Sequence, residues 1–282
     1  AARLIRDAFE RGVTLFDTAE AYGPFANEVL VGKGLKPFRD KVMIATKFGF
    51  TIGDEAKAAR PSGTDSRPEH VRAVADASLK RLGVDTIDLF YQHRVDPGVP
   101  IEETVGALAD LVKEGKVRAI GCSNFDAGQL QDALDVAARD GLPRYDVVQP
   151  EYNLYTRNKF EGPLADLCVR EEIGVISYYA LAAGFLTGKY RKKEDTEGSS
   201  RGYRVGDYLN DKGFRVLAAL DEIAAETGAA PASIALAWLI AKLALTAPIA
   251  SASSLSQLET MIAAGNLTLS QGQMKRLDEA GA

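Results

Sequence analysis

The chain has 282 residues, 46% of them hydrophobic and 26% charged, with a formal net charge of −5. That balance belongs to ordinary globular proteins, and the acidic excess argues against the basic stripe of a nucleic-acid binder. No apolar run approaches the roughly 18 residues of a membrane span and no secretory signal opens the sequence, while two distant cysteines, Cys122 and Cys168, exclude a disulfide framework and lead us to expect a cytoplasmic protein.

Residues 1–12 carry Leu4, Ile5, Ala8 and Phe9 at helical spacing and stop at Gly12. The short apolar run Val13–Phe16 follows and ends in Asp17. Further strands are predicted over 42–48, 87–93, 117–122, 145–149, 175–179 and 247–252. Between them, helices are predicted near 26–35, 68–82, 102–115, 126–139, 157–172, 213–227 and 231–243, with short ones near 255–264 and 270–280. Pro68 and Pro231 sit where a helix tolerates proline, at its first turn. The stretch 191–213, RKKEDTEGSSRGYRVGDYLNDKG, is charged and lacks strand periodicity, so it reads as a long surface loop.

Val- and Ile-rich strands alternating with helices mean a parallel sheet with crossover helices. A doubly wound sheet and a closed (β/α)8 TIM barrel both fit that alternation. The glycine-rich fingerprint of the doubly wound dinucleotide-binding fold is missing, because Gly32-Lys33-Gly34 follows a helix and runs into Leu-Lys-Pro. Polar residues at strand C-termini (Asp17, Lys47, His93, Ser123, Asn124, Gln149 and Ser251) favour the barrel, whose chemistry sits on that face. The expectation is therefore one α/β barrel domain over 1–282. Only seven strands can be counted, and the missing first strand is expected before residue 1, where the chain starts without Met inside a helix.

Asp17 and Tyr22 in FDTAEAYG, Lys47 in IATKFG and His93 in FYQHRVDP form a set with a chemical logic. A tyrosine hydroxyl, with its ordinary pKa of about 10, is a poor proton donor near neutrality. A nearby lysine cation favours the phenolate, and a buried lysine needs a counter-charge, which Asp17 can supply. A histidine at the mouth can hydrogen-bond a carbonyl oxygen. Together these groups polarise and protonate a carbonyl without a metal. Taken singly, each has a plainer reading: Asp17 as a helix or turn cap, Tyr22 as a packing residue, His93 as a structural histidine. His70 reads as a surface residue, Trp238 as core, and neither cysteine has the basic neighbours of a reactive thiolate.

With FDTAEAYG, ATKFG, YQHRVDP, GCSNF, VVQPEYNL and GFLTGKY in this order, the chain resembles the aldo-keto reductases over nearly its whole length. The resemblance implies a catalytic tetrad of Asp17, Tyr22, Lys47 and His93, and reduction of an aldehyde or ketone by hydride from NADPH with the proton from Tyr22. It implies that Ser123, Asn124 and Gln149 hold the nicotinamide carboxamide and that Tyr178 stacks on its ring. It places the 181–190 segment, with Leu181, Gly184 and Lys189, along the pyrophosphate, and Ser251, Ser253 and Gln257 at the adenosine ribose phosphate. In that last segment many relatives carry Arg or Lys where Ser253 stands and Arg where Gln257 stands, and their Glu-Asn pair is here Thr260 and Met261. Cations hold a 2′-phosphate best, so NADH is kept as the alternative to NADPH. The usual Tyr-Ser-Pro-Leu reads Tyr178-Tyr179-Ala180-Leu181. The expected partner is a small carbonyl compound, with no nucleic acid and no membrane; the oligomeric state is open. Two other readings stay open: a cofactor-binding regulatory protein without turnover, and a lyase forming a Schiff base on Lys47.

Overall fold

The computed structural model describes residues 2–53, 61–198 and 202–282. The chain divides after Gln149 into two compact units. The first comprises α1 (Ala2–Glu10), β1 (Leu15–Asp17), α2 (Ala26–Leu35), a 3-10 helix (Lys36–Lys41), β2 (Met43–Phe48), the β3 (Phe50–Thr51) and β4 (Gly63–Thr64) hairpin, α3 (Pro68–Leu82), β5 (Ile87–Gln92), α4 (Ile101–Lys113), β6 (Val117–Ser123), α5 (Ala127–Asp140) and β7 (Val147–Gln149). Its sheet runs β1-β2-β5-β6-β7 with every neighbouring pair parallel. All six residues of β5 and five of the six in β2 are buried. Strands covered on both faces lose the alternation of a half-exposed sheet, and in these two the buried positions include Thr46, Lys47, Asp88 and Gln92 among the apolar residues.

Helix limits in this unit follow local chemistry. Pro68 opens α3 and Gly83 closes it in the left-handed conformation. Asp126 and Gln129 form a reciprocal capping box at the start of α5. Because the strands are parallel, their C-terminal ends fall on one edge of the sheet. Asp17, Lys47, Gln92 with His93 after it, Ser123 and Gln149 all lie at those ends. The β3–β4 pair is an addition to the elements expected from sequence: two residues a side carry too little periodicity to register.

The second unit comprises α6 (Pro163–Arg170), β8 (Gly174–Ser177), 3-10 helices Ala182–Thr187 and Lys193–Thr196, α7 (Gly202–Val205), a 3-10 turn (Gly206–Tyr208), α8 (Asp211–Thr227), α9 (Pro231–Ile240), β9 (Ala247–Pro248), α10 (Leu255–Ala263), a 3-10 turn (Ala264–Asn266) and α11 (Gln271–Ala280). β8 and β9 are parallel, with Ile176 opposite Ala247. Trp238 is fully buried, as its setting in the sequence suggests, with its ring 5.6 Å from Tyr152 and its Nε1 donating to Asp278 Oδ1 at 2.9 Å.

Several expected spans differ, three of them most. The helix expected over 157–172 begins only at Pro163, because Gly162 takes φ 94° and Pro163 restricts the residue before it. The strand expected over 247–252 is two residues long. The stretch 191–213, expected as a loop, is broken by short helical turns at Lys193–Thr196, Gly202–Val205 and Gly206–Tyr208, and α8 already starts at Asp211. Asn210 explains that start, since its side chain accepts from the Gly213 N–H as an N-cap. Residues 199–201 of the stretch, and Ala1, lie outside the described residues. Among the described residues no single helix is long and apolar enough to cross a membrane.

Candidate active site

The centre of the site is an ammonium group. Lys47, on β2, is completely buried. Its Nζ donates to Asp17 Oδ1, to the Thr18 carbonyl at 2.8 Å and to Tyr22 Oη at 3.4 Å. An ammonium has three protons, and here each faces an acceptor. Burial alone would pull Lys47 down. The charge of Asp17, with the Tyr22 hydroxyl and the hydrogen bonds to both, outweighs burial and holds its pKa above the ordinary lysine value. Parallel pairing makes this possible across a long stretch of sequence, because Asp17 pairs with Ala45 in the β1–β2 register and Lys47 with Tyr91 in the β2–β5 register.

Tyr22 lies in the turn between β1 and α2, 39% exposed, with its ring 5.0 Å from Lys47 Nζ. The turn is tied to the sheet by backbone bonds from the Thr18 N–H to Ala45 O at 2.8 Å and from the Glu20 N–H to Lys47 O at 3.5 Å. His93 follows β5 and meets Tyr22 edge-on, ring centres 6.0 Å apart, and Phe50 also edge-on at 4.8 Å. Burial, then the cations Lys47 and Arg94, push the His93 imidazole down to about 2, so it is neutral near pH 7. Its Nδ1 is buried with no hydrogen-bond partner among the described residues.

A second polar chain reaches the same carboxylate. Ser123 Oγ donates to the Gln149 carbonyl at 2.7 Å, and Gln149 Nε2 donates to Asp17 Oδ2 at 2.9 Å. Asn124 Nδ2 donates to Ser123 Oγ at 2.8 Å and to the His93 carbonyl at 3.2 Å. Asn124 adopts φ 62°, a left-handed conformation that asparagine tolerates and that recurs at functional sites. Thus the structure brings Asp17, Tyr22, Lys47, His93, Ser123, Asn124 and Gln149 into one hydrogen-bonded and ring-contact network within the first unit.

The remaining candidate cofactor residues all lie in the second unit, while His70, expected at the surface, is half-buried with its Nε2 buried. Tyr178 follows β8, half-buried, its ring 5.1 Å from that of Tyr179. Leu181 leads into the 3-10 helix Ala182–Thr187, inside which Gly184 takes φ 98°. Lys189 is exposed, its Nζ 4.8 Å from the Tyr190 ring centre. Ser251 is exposed beyond β9. Ser253 Oγ donates to Gln257 Oε1 at 3.0 Å at the start of α10, whose first turn is capped by Ser254.

Two groups at the centre carry no signal strong enough to be found from sequence alone. Tyr91 is fully buried, its ring 5.8 Å from Lys47 Nζ, and burial followed by the charge of Asp17 pushes its hydroxyl well up. Strand alternation places Tyr91 on the same face as His93, which by itself does not set it apart from any other strand residue. The second is Glu20, whose burial no periodicity reveals.

The aldo/keto reductase family model matches residues 1–282. The chain belongs to the aldo/keto reductase family. It is 37% identical over 280 residues to a protein named "Probable aldo-keto reductase 1" from Glycine max, a match covering 98% of this chain and 78% of that relative. The family fold is the (β/α)8 barrel, with which the parallel strands and crossover helices here agree. Aldo/keto reductases are oxidoreductases that use nicotinamide cofactors on small carbonyl substrates, and the protein is an oxidoreductase of that family.

Proposed function

We propose that this aldo/keto reductase reduces an aldehyde or ketone to an alcohol, with Tyr22 giving the proton to the carbonyl oxygen. The observation that carries this reading is the buried Lys47 ammonium, fixed by Asp17 and the Thr18 carbonyl and turned toward Tyr22 Oη. When bound, the nicotinamide cofactor supplies the hydride that the carbonyl carbon accepts. A cation held 3.4 Å from the hydroxyl stabilises the phenolate left when the proton departs. Because His93 is neutral at pH 7, it is a poor proton donor itself and serves as a hydrogen-bonding group that orients the carbonyl oxygen.

The donor sets suit a dinucleotide. Ser123, Asn124 and Gln149 offer hydroxyl and amide groups for a carboxamide, which both donates and accepts. Tyr178 offers an aromatic face. Ala182, Ala183 and Gly184 take φ 48°, 56° and 98°, a tight left-handed turn in which the Ala182 and Gly184 N–H groups donate to the Tyr179 and Leu181 carbonyls at 2.7 and 2.8 Å. We assign Leu181, Gly184 and Lys189 to the pyrophosphate, and Ser251, Ser253 and Gln257 to the adenosine end. NADPH is the proposed cofactor, with NADH close behind, because Ser253 and Gln257 are uncharged. A single barrel domain in the cytoplasm completes the proposal.

A Schiff-base role for Lys47 is the weaker reading. Imine formation needs a neutral amine, and this one is held protonated with each proton on an acceptor. The test is NADPH consumption across aldehydes, ketones, sugars and quinones. Turnover of at least one class is expected. Tight NADPH binding with no turnover anywhere in the panel would replace the enzyme by a regulatory cofactor-binding protein.

A further inference from the structure

Glu20, two residues before Tyr22, is a carboxylic acid in a place that suits a carboxylate poorly. It is 2% exposed, and its Oε1 is buried without a hydrogen-bond partner among the described residues. The backbone N–H groups of Gly49 and Phe50 face it and favour charge, as does Arg81 of α3, while Glu28 of α2 opposes it. Arg81 is already committed, its Nε donating to Glu28 Oε2 at 2.5 Å, and Thr46 Oγ1 donates to the other Glu28 oxygen at 2.6 Å. Glu28 thus has a side-chain partner on each oxygen, whereas Oε1 of Glu20 has none among the described residues. Burial chiefly, with Glu28 adding, pushes Glu20 up to about 8.

Its position joins the two halves of the proposed chemistry. The Glu20 N–H donates to Lys47 O, and its carbonyl accepts from Phe25, fixing the turn that presents Tyr22. Its carboxyl lies against the Gly49–Phe50 backbone, and the Phe50 ring packs on His93. We infer that Glu20 is a positioning residue, clamping the Tyr22 turn against the Gly49–Phe50 segment so that His93 faces the tyrosine. Ionisation puts a charge beside Glu28 in a dry site where Oε1 has no partner among the described residues, which the turn relieves by moving toward water. The inference rests on the carbonyl-reduction reading for its catalytic consequence, and on geometry alone for the clamp.

Two measurements separate these. In protein labelled with 15N-histidine, the ring resonances of His93 are expected to shift with a midpoint near pH 8, although His93 itself stays neutral there, and to stay constant from pH 7 to 9 in Glu20→Gln, which cannot ionise. Resonances that titrate alike in both proteins, or in neither, overturn the clamp whatever the enzyme does. In turnover with NADPH and 4-nitrobenzaldehyde, the wild-type kcat is expected to fall several-fold between pH 7 and pH 9. The Glu20→Gln profile, normalised to its own value at pH 7, is expected to lose that step. Superimposable profiles, in an enzyme that Tyr22→Phe inactivates, overturn the catalytic consequence and leave the tetrad standing. Turnover that survives Tyr22→Phe removes the tetrad reading and leaves the clamp to the histidine resonances.

Discussion

Lys47 is the residue on which the site depends, because it is a charge with no access to water and three acceptors aimed at it. Removing it leaves Asp17, with a side chain only 9% exposed, uncompensated. Breaking a buried pair from one side costs about 3–5 kcal/mol. Lys47→Met is therefore expected to lose that much stability in urea denaturation, and Asp17→Asn combined with Lys47→Met to lose less than Lys47→Met alone. Two other residues tie stability to pH with opposite signs. Neutral His93 takes up a proton below about 6.5 once the chain unfolds, so its contribution is full above that pH and lost as the pH falls toward about 2. Glu20 ionises near 4.5 when unfolded and near 8 when folded, so its contribution is full below about 4.5 and lost as the pH rises to about 8. Melting temperatures should then fall less steeply from pH 5 to pH 8 in Glu20→Gln than in the wild type; equal slopes would contradict the buried neutral acid. Asp17, Tyr22, Lys47 and His93 were legible in the sequence because their chemical types complement one another at strand ends. Glu20 was not, since a carboxylate between two alanines gives no sign that its turn is buried.

At the scale of elements, parallel pairing does the assembling, and it leaves little room between β5, β6 and β7. A side-chain carbon at Gly121 would come within 2.6 Å of the Val147 carbonyl and 2.7 Å of the Tyr91 ring. Overpacking of this kind costs about 1–3 kcal/mol. Gly121→Ala is expected to lose about that in urea and to disturb Tyr91 beside Lys47; an unchanged midpoint would show that β7 yields freely. On the assignment proposed above, the start of α10 bears on cofactor choice. Its Ser254 cap and its N-terminal N–H groups favour an anion, but the Ser253–Gln257 pair adds no cation. A ratio of NADH to NADPH dissociation constants below about 100, or less than roughly 2.7 kcal/mol, is expected, with Ser253→Arg raising it. Strands and most helices were readable because long periodic runs and proline, glycine and asparagine caps mark them. The 3-10 turns within 191–213 and the late start of α6 were not, because they depend on single dihedral choices at residues such as Gly162 and on tertiary packing.

For the whole molecule, the (β/α)8 fold of the family makes one domain the natural expectation, and the cysteines offer a way to see it. Cys122 lies in the first unit and Cys168 in the second; both are buried, and burial pushes the Cys168 thiol up to about 12. Neither is expected to react with a thiol reagent in the native state, and both should become reactive in one denaturant transition. Two separate midpoints would mean that the units unfold independently. The family itself was legible from motifs whose order matters more than any one of them, while the substrate lies in loop surfaces that no motif encodes. The central claim is that Tyr22 supplies the proton. It is tested most directly by comparing kcat for carbonyl reduction with NADPH affinity in the wild type and in Tyr22→Phe. A positioned general acid contributes about 10²–10⁴-fold, so kcat should fall by at least about 100-fold while the dissociation constant for NADPH stays within about two-fold. A Tyr22→Phe enzyme that turns over at the wild-type rate would contradict the account.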